Sequence, residues 1–334
     1  MDRARLILMV AALVAAPAAR GADALSLDLV RDSADGRSVA FAIDHQGEAL
    51  GWRFDVAHSA ADGGSEGVFQ ADDLALGLRH EWRDWSFGFD AAFWMDSSDT
   101  DSLLYTASGA WQGEAWRFGL EASAGSISTS LPSAASADLA RRDYDRDGLR
   151  ASAEWRIDDD WRVWAGTSSW SYDPALDADS DQLIEELVAL TDLRTMYLLI
   201  AGGNAAVVDA YLVANGFTEL RQVLADRGLN GLARVIRFQQ RRVNRALSLQ
   251  TFALGLSDPT FDLGIERRVG AGRLTLSYQQ LEIPVDDLSA RSLQLELSWP
   301  MNDHLDLAIS GGAVRTEDYG TSYSIGLRFQ YFLD

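Results

Sequence analysis

Apolar and polar residues alternate along much of the chain, with the period of two that predicts β-strands. The rhythm is clear from Leu50 to His58, from Trp85 to Phe93, from Trp116 to Ala122 and from Leu293 to Trp299. We count roughly fifteen such segments of about ten residues, which is the length expected of tilted strands that cross a membrane. The pattern therefore predicts a large antiparallel sheet.

The period becomes helical between about Ser180 and Ala246. Gly202-Gly203 interrupts the first helical run, Asn204 can cap the next helix, and Gly216 can end it. This segment predicts an α-helical subdomain inserted between two groups of strands.

Alternation alone does not say whether the apolar face points inward, as in a soluble sandwich, or outward, as in a membrane barrel. Tryptophans decide this point, because they flank short turns instead of occupying strand centres. Amphipathic rings collect at strand ends in membrane barrels, at the depth of the lipid headgroups. The candidate membrane-interface aromatics are Trp82, Trp85, Trp111, Trp116, Trp161 and Trp299.

The first residues predict export. Arg3 and Arg5 precede the apolar run Leu6 to Ala16, and Ala22-Asp23-Ala24 is a small-x-small cleavage site. An uncleaved anchor is the alternative, but the apolar run is short for a bilayer span. The predicted division is a signal peptide at 1–24, N-terminal barrel strands at 25–179, a helical insertion at 180–246 and C-terminal barrel strands at 247–334.

Composition excludes several kinds of functional site and several classes of partner. The chain has no cysteine, which excludes disulfides, thiolate metal sites and a cysteine nucleophile. The formal charge of -21 argues against nucleic acid as a partner. Acidity of this kind can recruit divalent cations or cationic solutes.

The last strand carries a resemblance. The stretch "SIGLRFQY", Ser324 to Tyr331, is similar to the terminal assembly signal of outer-membrane β-barrel proteins of Gram-negative bacteria. Ser324, Gly326, Phe329 and Tyr331 fill its places, although the chain ends on Asp334 instead of an aromatic residue. The resemblance implies recognition by the barrel assembly machinery and location in the outer membrane, beside lipid and lipopolysaccharide.

The expected fold is therefore all-β with a helical insertion, an antiparallel transmembrane β-barrel of about 14 to 16 strands. The long connections at Ser59 to Asp72 and Gly125 to Gly148 then lie outside the cell. Strands counted from the N-terminus place the start of the helical segment outside the cell. Strands counted back from the C-terminus place the start of a strand at Leu247 inside, so the two counts differ by one membrane crossing. Either the strand number is wrong or the helical segment passes inward through the lumen.

Polar positions of the alternating segments predict the lumen wall. The candidate lumen-facing residues are Arg53, Asp55, Arg79, Glu81, Asp90, Arg117, Glu121, Glu154, Arg156, Glu266, Glu296 and Arg328. Arginines at helical spacing near the end of the insertion offer a complementary face: Arg234, Arg237, Arg241 and Arg245. Our hypothesis is a plug whose arginines lie against the acidic wall. The alternatives are a solvated face and a face that binds lipopolysaccharide phosphates.

The stretch "DYDRDGLRASAE", Asp143 to Glu154, matches the spacing of a calcium-binding EF-hand loop. The residues after Gly148 alternate as a strand, so Glu154 is too far from Asp143 to close one cage. No other cofactor is expected. What remains is either a looser calcium site at the tip of an outer loop, formed by Asp143, Asp145 and Asp147, or an acidic turn closed by Gly148.

Catalytic motifs are not evident. The four histidines do not fall beside a nucleophile motif, and the chain has neither a Gly-x-Ser-x-Gly elbow nor His-Glu-x-x-His. We therefore expect no enzyme but passage of a hydrophilic solute, porin-like or gated. The alternatives are a docking barrel, whose helical segment recruits a periplasmic or surface partner, and a surface hydrolase.

Overall fold

A computed structural model describes residues 23–47, 49–62, 68–97, 100–132, 139–173, 185–187, 189–190, 192–247, 257–283, 288–316 and 319–333. The predicted signal peptide lies almost entirely outside these residues. Among them, no helix is both long enough and apolar enough to span a membrane.

The described residues form fourteen antiparallel strands in one closed barrel, within the predicted range. The strands are β1 (Ala24–Asp32), β2 (Gly36–Gln46), β3 (Leu50–Asp62), β4 (Val68–Trp82), β5 (Trp85–Asp96), β6 (Asp101–Gln112), β7 (Trp116–Pro132), β8 (Leu139–Arg156), β9 (Trp161–Asp173), β10 (Asp258–Val269), β11 (Gly272–Ile283), β12 (Leu288–Asn302), β13 (Leu305–Thr316) and β14 (Gly320–Phe332). Each strand pairs with its sequence neighbours, and β14 closes the barrel against β1 from Ala24↔Phe332 to Asp32↔Ser324. Closure leaves no free sheet edge.

The two ends of the barrel differ. At one end, which we call the turn end, strands are joined by short turns such as those at 83–84 and 270–271, and both described termini lie there. At the other, the loop end, lie the connections at 63–67, 133–138 and 284–287 and the helical insertion.

Several boundaries differ from the sequence prediction. The loops expected at Ser59–Asp72 and Gly125–Gly148 are largely strand, because backbone pairing between β3 and β4 and between β7 and β8 continues well past the apolar alternation. β9 ends at Asp173, and the last group of strands begins at Asp258 instead of Leu247. Leu247 continues an amphipathic helix, and residues 248–256 lie outside the described ones.

Both ends of the insertion therefore lie at the loop end. No passage of the insertion from one end of the barrel to the other is needed to connect β9 to β10. The strand expected from Leu247 to Leu256 lies, apart from Leu247, outside the described residues.

The insertion contains three helices: α1 (Leu193–Ala201), α2 (Ala205–Ala214) and α3 (Thr218–Leu247). The predicted cap at Asn204 is confirmed, since its side chain accepts hydrogen bonds from two backbone amides of α2, and Gly216 follows α2 at φ 75°. α3 is kinked at Gly228, whose φ of 64° favours glycine. Asp192 caps α1, and its hydrogen bonds with Thr195 lower the pKa of this carboxyl.

The three helices share a hydrophobic core of their own. Its fully buried members come from all three helices and the preceding segment: Leu187, Met196, Val208, Leu212, Leu220, Leu232 and Ile236. Apolar burial of this kind is the main stabilising contribution to a small domain. The insertion is thus a packed subdomain and not an irregular loop.

The N-terminus of α3 is capped from a distance. The two carboxylate oxygens of the buried Glu186 accept hydrogen bonds of 2.9 Å from the backbone amides of Glu219 and Leu220. A carboxylate at this position satisfies amides that have no partner within the helix and interacts favourably with the helix dipole.

We expect Glu186→Ala to lower the protection of α3 amides against hydrogen exchange by about 1–2 kcal/mol, because both hydrogen bonds are lost. Amide hydrogen exchange of the folded chain measures this directly. The exposed neighbour Glu185 provides the control, and Glu185→Ala should leave the protection unchanged. Equal effects of the two substitutions would contradict the capping role.

Candidate functional site: the lumen and its loop-end closure

The outer surface of the barrel is apolar. Outward-facing Leu120 and Leu149 are 69% and 68% exposed, and Phe87 and Phe89 are nearly half exposed. This is the surface that a lipid bilayer covers in a transmembrane barrel.

All six predicted interface tryptophans lie at the turn end on this outward face. Trp82 pairs with Trp85 across β4 and β5, and Trp85 pairs with Trp111 across β5 and β6. Trp116 stacks on Trp155 at a ring distance of 5.5 Å. Trp161 lies under the guanidinium of Arg267, 4.9 Å away, and Trp299 lies near the end of β12. The four predicted assembly-signal residues lie in the closing strand β14.

The opposite face of every strand forms the lumen wall. Strand registers place all twelve predicted lumen residues on this face. Two ion-pair chains run along one part of the wall. Arg53 contacts Asp55 at 2.7 Å and Asp44 at 3.8 Å. Arg328 contacts Asp28 at 2.8 Å and Glu296 at 3.2 Å.

A second group of ion pairs is centred on Arg150, which sequence reasoning did not place in the lumen. Its guanidinium contacts Glu121 at 3.1 Å and Asp262 at 2.7 Å. The bridge to Asp262 passes over Gly166 of β9, where a Cβ atom would lie 2.5 Å from the Asp262 carboxylate and 2.9 Å from the guanidinium. Glycine at this position lets the pair form across an intervening strand.

Arg162 extends this group toward the turn end. It contacts Glu154 at 3.5 Å and Glu266 at 2.9 Å, and it lies 5.8 Å from the ring centre of the inward-facing Trp164. Strand alternation through β9 could have placed Arg162 in the lumen. The partners themselves come from non-adjacent parts of the sequence, and that pairing has no local signal.

Most of the predicted acidic wall therefore has arginine partners on the barrel strands. Asp55, Glu121, Glu154, Glu266 and Glu296 all have strand partners, and Glu81 contacts Arg79 at 3.3 Å. Arg234 and Arg237 of α3 are partly solvent-exposed, and the predicted arginine face stays a hypothesis. Arg241 and Arg245 belong to α3, but their side chains are not among the described parts.

A cavity of about 820 Å³ occupies the turn-end half of the lumen. Charged side chains of both signs line it, including Arg53, Arg79, Arg117, Asp90, Glu121 and Arg150. Residues of the turn at 46–49 also contribute, so the cavity reaches the turn end. A volume of this size holds a small hydrophilic solute with its water.

The lumen face is apolar and buried at the loop end. Lumen-facing apolar residues from strands around the barrel are buried there, and we call this group the loop-end layer: Ala61, Ala71, Trp94, Ile127, Leu281, Ile283, Leu288, Ala290 and Val314. Ile127, Ile283 and Val314 are 0%, 1% and 2% exposed. In an open pore, side chains on the lumen face would be solvated.

A buried ion pair lies at the same end. Arg146 of β8 donates hydrogen bonds of 3.2 Å to Asp258 and of 3.2 Å to Ser102, and each member of the ion pair is 2% exposed. The indole of Trp170 lies 5.7 Å from the guanidinium. Because Asp258 is the first residue of β10, this pair fixes the point where the chain re-enters the barrel after the insertion.

α3 reaches across the loop-end mouth. It contacts β7 on one side of the barrel and β13 and β14 on the opposite side. The amide of buried Gln239 donates to the hydroxyl of Tyr319, which packs against the loop-end layer. A single helix can touch strands that lie seven positions apart in the barrel only by crossing the opening.

The calcium-like motif lies on a strand and not at a loop tip. β8 includes Asp143, Asp145 and Asp147, which point outward at every second residue, about 7 Å apart along the strand. Asp143 accepts a hydrogen bond of 2.5 Å from Ser128. No group of three or more metal-ligating side chains occurs among the described residues. The backbone pairing that extends β8 replaces the loop on which the expectation depended.

The histidines lie near strand ends. His58 contacts Asp72 at 2.7 Å on the outward face, and His80 contacts the carbonyl oxygen of Ala49 at 2.7 Å. His45 lies near the end of β2, and His304 lies in the turn before β13. Neither contact includes a serine nucleophile.

Neither a protein-family model nor a curated protein matches the chain. Among solved structures, the NanC porin aligns with a TM-score of 0.41 and 7% identity over 92% of this chain and 100% of the porin. Outer membrane protein Omp33 of Acinetobacter baumannii aligns with a TM-score of 0.42 and 5% identity, covering 94% and 99%. OccK11 of Pseudomonas aeruginosa aligns at 0.39 and 9%, covering 93% and 95%. These likenesses concern the fold alone. The closed barrel with an apolar outer face and a charged lumen is itself the architecture of the Gram-negative outer-membrane β-barrel class.

Proposed function

We propose that the protein is a gated outer-membrane channel for small hydrophilic solutes, with the helical insertion closing the loop end of the lumen. The observation that carries this proposal is the contrast within one lumen. The turn-end half holds a charged cavity of about 820 Å³, whereas the loop-end layer is buried. We orient the barrel as in bacterial outer-membrane barrels, whose short turns lie on the periplasmic side. The turn end then faces the periplasm, and the loop end faces the cell exterior.

The charges of the wall favour cations once the lumen is open. Arginine–carboxylate pairs cancel much of the local field, so selectivity depends on the charges that remain. Arg53, Arg150, Arg162 and Arg328 each contact two carboxylates, so the ion-paired part of the wall keeps an excess of negative charge. The inward-facing Asp73 and Asp90 add to this excess, which the inward-facing Arg117 and Arg156, unpaired among the described residues, reduce only in part. Carboxylates on a lumen wall attract cations and repel anions.

Single-cysteine labelling tests the closure, because the natural chain contains no cysteine. Ala110 lines the cavity, and Ala290 belongs to the loop-end layer. We expect a hydrophilic maleimide to modify Ala110→Cys at least about tenfold faster than Ala290→Cys in the folded protein, because the buried site reacts only after local opening.

The matched comparison uses the same two substitutions in a chain that lacks residues 181–246. The rate at Ala290→Cys should rise toward that at Ala110→Cys if the insertion closes the lumen. Equal rates at the two sites in the full chain would contradict closure.

A docking role has one observation in its favour. The exposed side of α2 is apolar, with Val207 and Val213 about half exposed, and Leu198 of α1 is 66% exposed. An apolar surface of this kind is typical of a partner contact. Retention of an envelope protein by the full chain, but not by Val207→Asp/Val213→Asp, would support docking in addition to transport.

A further inference from the structure

In one part of the barrel, the outward apolar rows of four strands each finish with an arginine at the loop end. This part consists of the adjacent strands β12, β13, β14, β1 and β2. On β1 the outward residues are Leu25, Leu27, Leu29 and then Arg31; on β2 they are Ile43, Phe41, Val39 and then Arg37; on β12 they are Leu297, Leu295, Leu293 and then Arg291. The outward row of β13 likewise ends at Arg315. We call these four residues the arginine sector.

The strand registers place these arginines in two directly opposed pairs. Arg31 faces Arg37 across β1 and β2, and Arg291 faces Arg315 across β12 and β13. Directly opposite side chains on one sheet face have Cβ atoms about 5 Å apart, and like charges in that position destabilise the sheet. Each of the two arginine pairs therefore destabilises the sheet by electrostatic repulsion, and a bound anionic ligand would remove this repulsion.

The described residues offer this sector little neutralisation. Arg37, Arg291 and Arg315 are exposed and make no ion pair with a described residue. Arg31 has only Asp35, 3.8 Å away, and both side chains are about three-quarters exposed. Glu317 and Asp318, which follow in sequence, lie outside the described residues.

The arginine sector is also unusual for this protein, whose formal charge is -21. On the opposite side of the barrel the corresponding outward positions are acidic: Asp143, Asp145 and Asp147 on β8 and Asp173 on β9, with Asp145 directly facing Asp173. Among the described outward side chains at the loop end, arginine is therefore the charged residue of β12, β13, β1 and β2, and aspartate is that of β8 and β9. An anionic group beside the barrel would be attracted to the arginine sector.

We propose that the arginine sector binds the phosphate groups of outer-leaflet lipid, namely the phosphorylated glucosamine headgroup of lipid A. Guanidinium groups form bidentate, charge-assisted hydrogen bonds with phosphate. The apolar rows below the arginines would lie along the acyl chains, and the exposed Tyr323 of β14 lies between the two pairs. The proposal uses the orientation given above but does not depend on transport.

Native mass spectrometry of the refolded full chain in non-ionic detergent tests the proposal, with diphosphorylated lipid A as the probe. We expect Arg31→Gln/Arg37→Gln and Arg291→Gln/Arg315→Gln each to weaken lipid A binding by about tenfold, since each removes charge-assisted hydrogen bonds to phosphate. The matched control is Arg267→Gln, an outward arginine at the turn end, which should bind as the parent does. Heat-modifiable migration in gels verifies that every variant is folded.

Thermal stability gives a second readout with opposite signs. Without lipid A, the double glutamine variants should be as stable as the parent or more stable, because the like-charge pairs are gone. With lipid A, the parent should gain more stability than either variant. Unchanged lipid A binding in both double variants, an equal loss in Arg267→Gln, equal binding of phosphatidylglycerol, or displacement by millimolar inorganic phosphate would each overturn the assignment to lipid A.

Discussion

Deleting residues 181–246 should convert a silent or weakly conducting barrel into one that conducts ions steadily in a planar bilayer, with a conductance increase of at least about tenfold. The physical reason is the distribution of burial along the lumen. The residues of the loop-end layer are buried, and α3 crosses the mouth from β7 to β13 and β14. Removing the helices would admit water to that layer and connect it with the turn-end cavity.

The same recordings measure selectivity. Reversal potentials in a salt gradient should show cation preference in the deleted form, and Asp73→Asn/Asp90→Asn should reduce it. The control is Asp143→Asn, which removes an acidic residue from the outer surface instead of the lumen. Equal conductance in the full and deleted chains would contradict the gate, and anion preference would contradict the assignment of lumen faces.

Replacing Arg146 by alanine should destabilise the barrel by about 3–5 kcal/mol, because it leaves the Asp258 carboxylate buried without its counter-charge. Asp258 is 2% exposed, and its second carboxylate oxygen has no hydrogen-bond partner within the described structure. Urea unfolding of the protein in detergent or lipid vesicles, followed by tryptophan fluorescence, measures the free energy of unfolding.

Two controls separate the buried charge from other effects. Arg53→Ala removes an exposed lumen pair and should cost less than about 1 kcal/mol. Arg146→Met/Asp258→Leu removes both buried charges, and it should restore most of the loss because no unpaired charge remains. A double variant as unstable as Arg146→Ala would indicate that packing around Trp170, and not the charge, causes the loss.

The strand pattern could be predicted because it depends on local alternation. In segments such as Trp116 to Ala122, the alternation itself shows which residues point outward and which point inward. All twelve predicted lumen residues lie on the inward face. The predicted loop boundaries were wrong because backbone pairing between β7 and β8 continues beyond the residues that show apolar alternation.

The partners of the lumen charges could not be predicted. Arg150 meets Asp262 across β9, and the contact exists because Gly166 has no side chain. Such pairing depends on the register between three strands, and a single sequence does not encode register in any short stretch. The loop-end layer is similar: Ile127 and Ile283 look like ordinary strand residues, and only closure of the barrel brings them together.

The position of the insertion has a consequence for how this protein was assembled in evolution. β9 and β10 pair directly with each other, from Trp161↔Arg267 to Thr167↔Phe261, so the sheet is continuous beside the point where the insertion leaves it. In the strand topology, the whole helical subdomain takes the place of the loop in the hairpin formed by β9 and β10. An ancestor could have gained or exchanged it in a single step without altering any strand pairing, so a barrel of this kind can acquire a new subdomain at its mouth while keeping its wall.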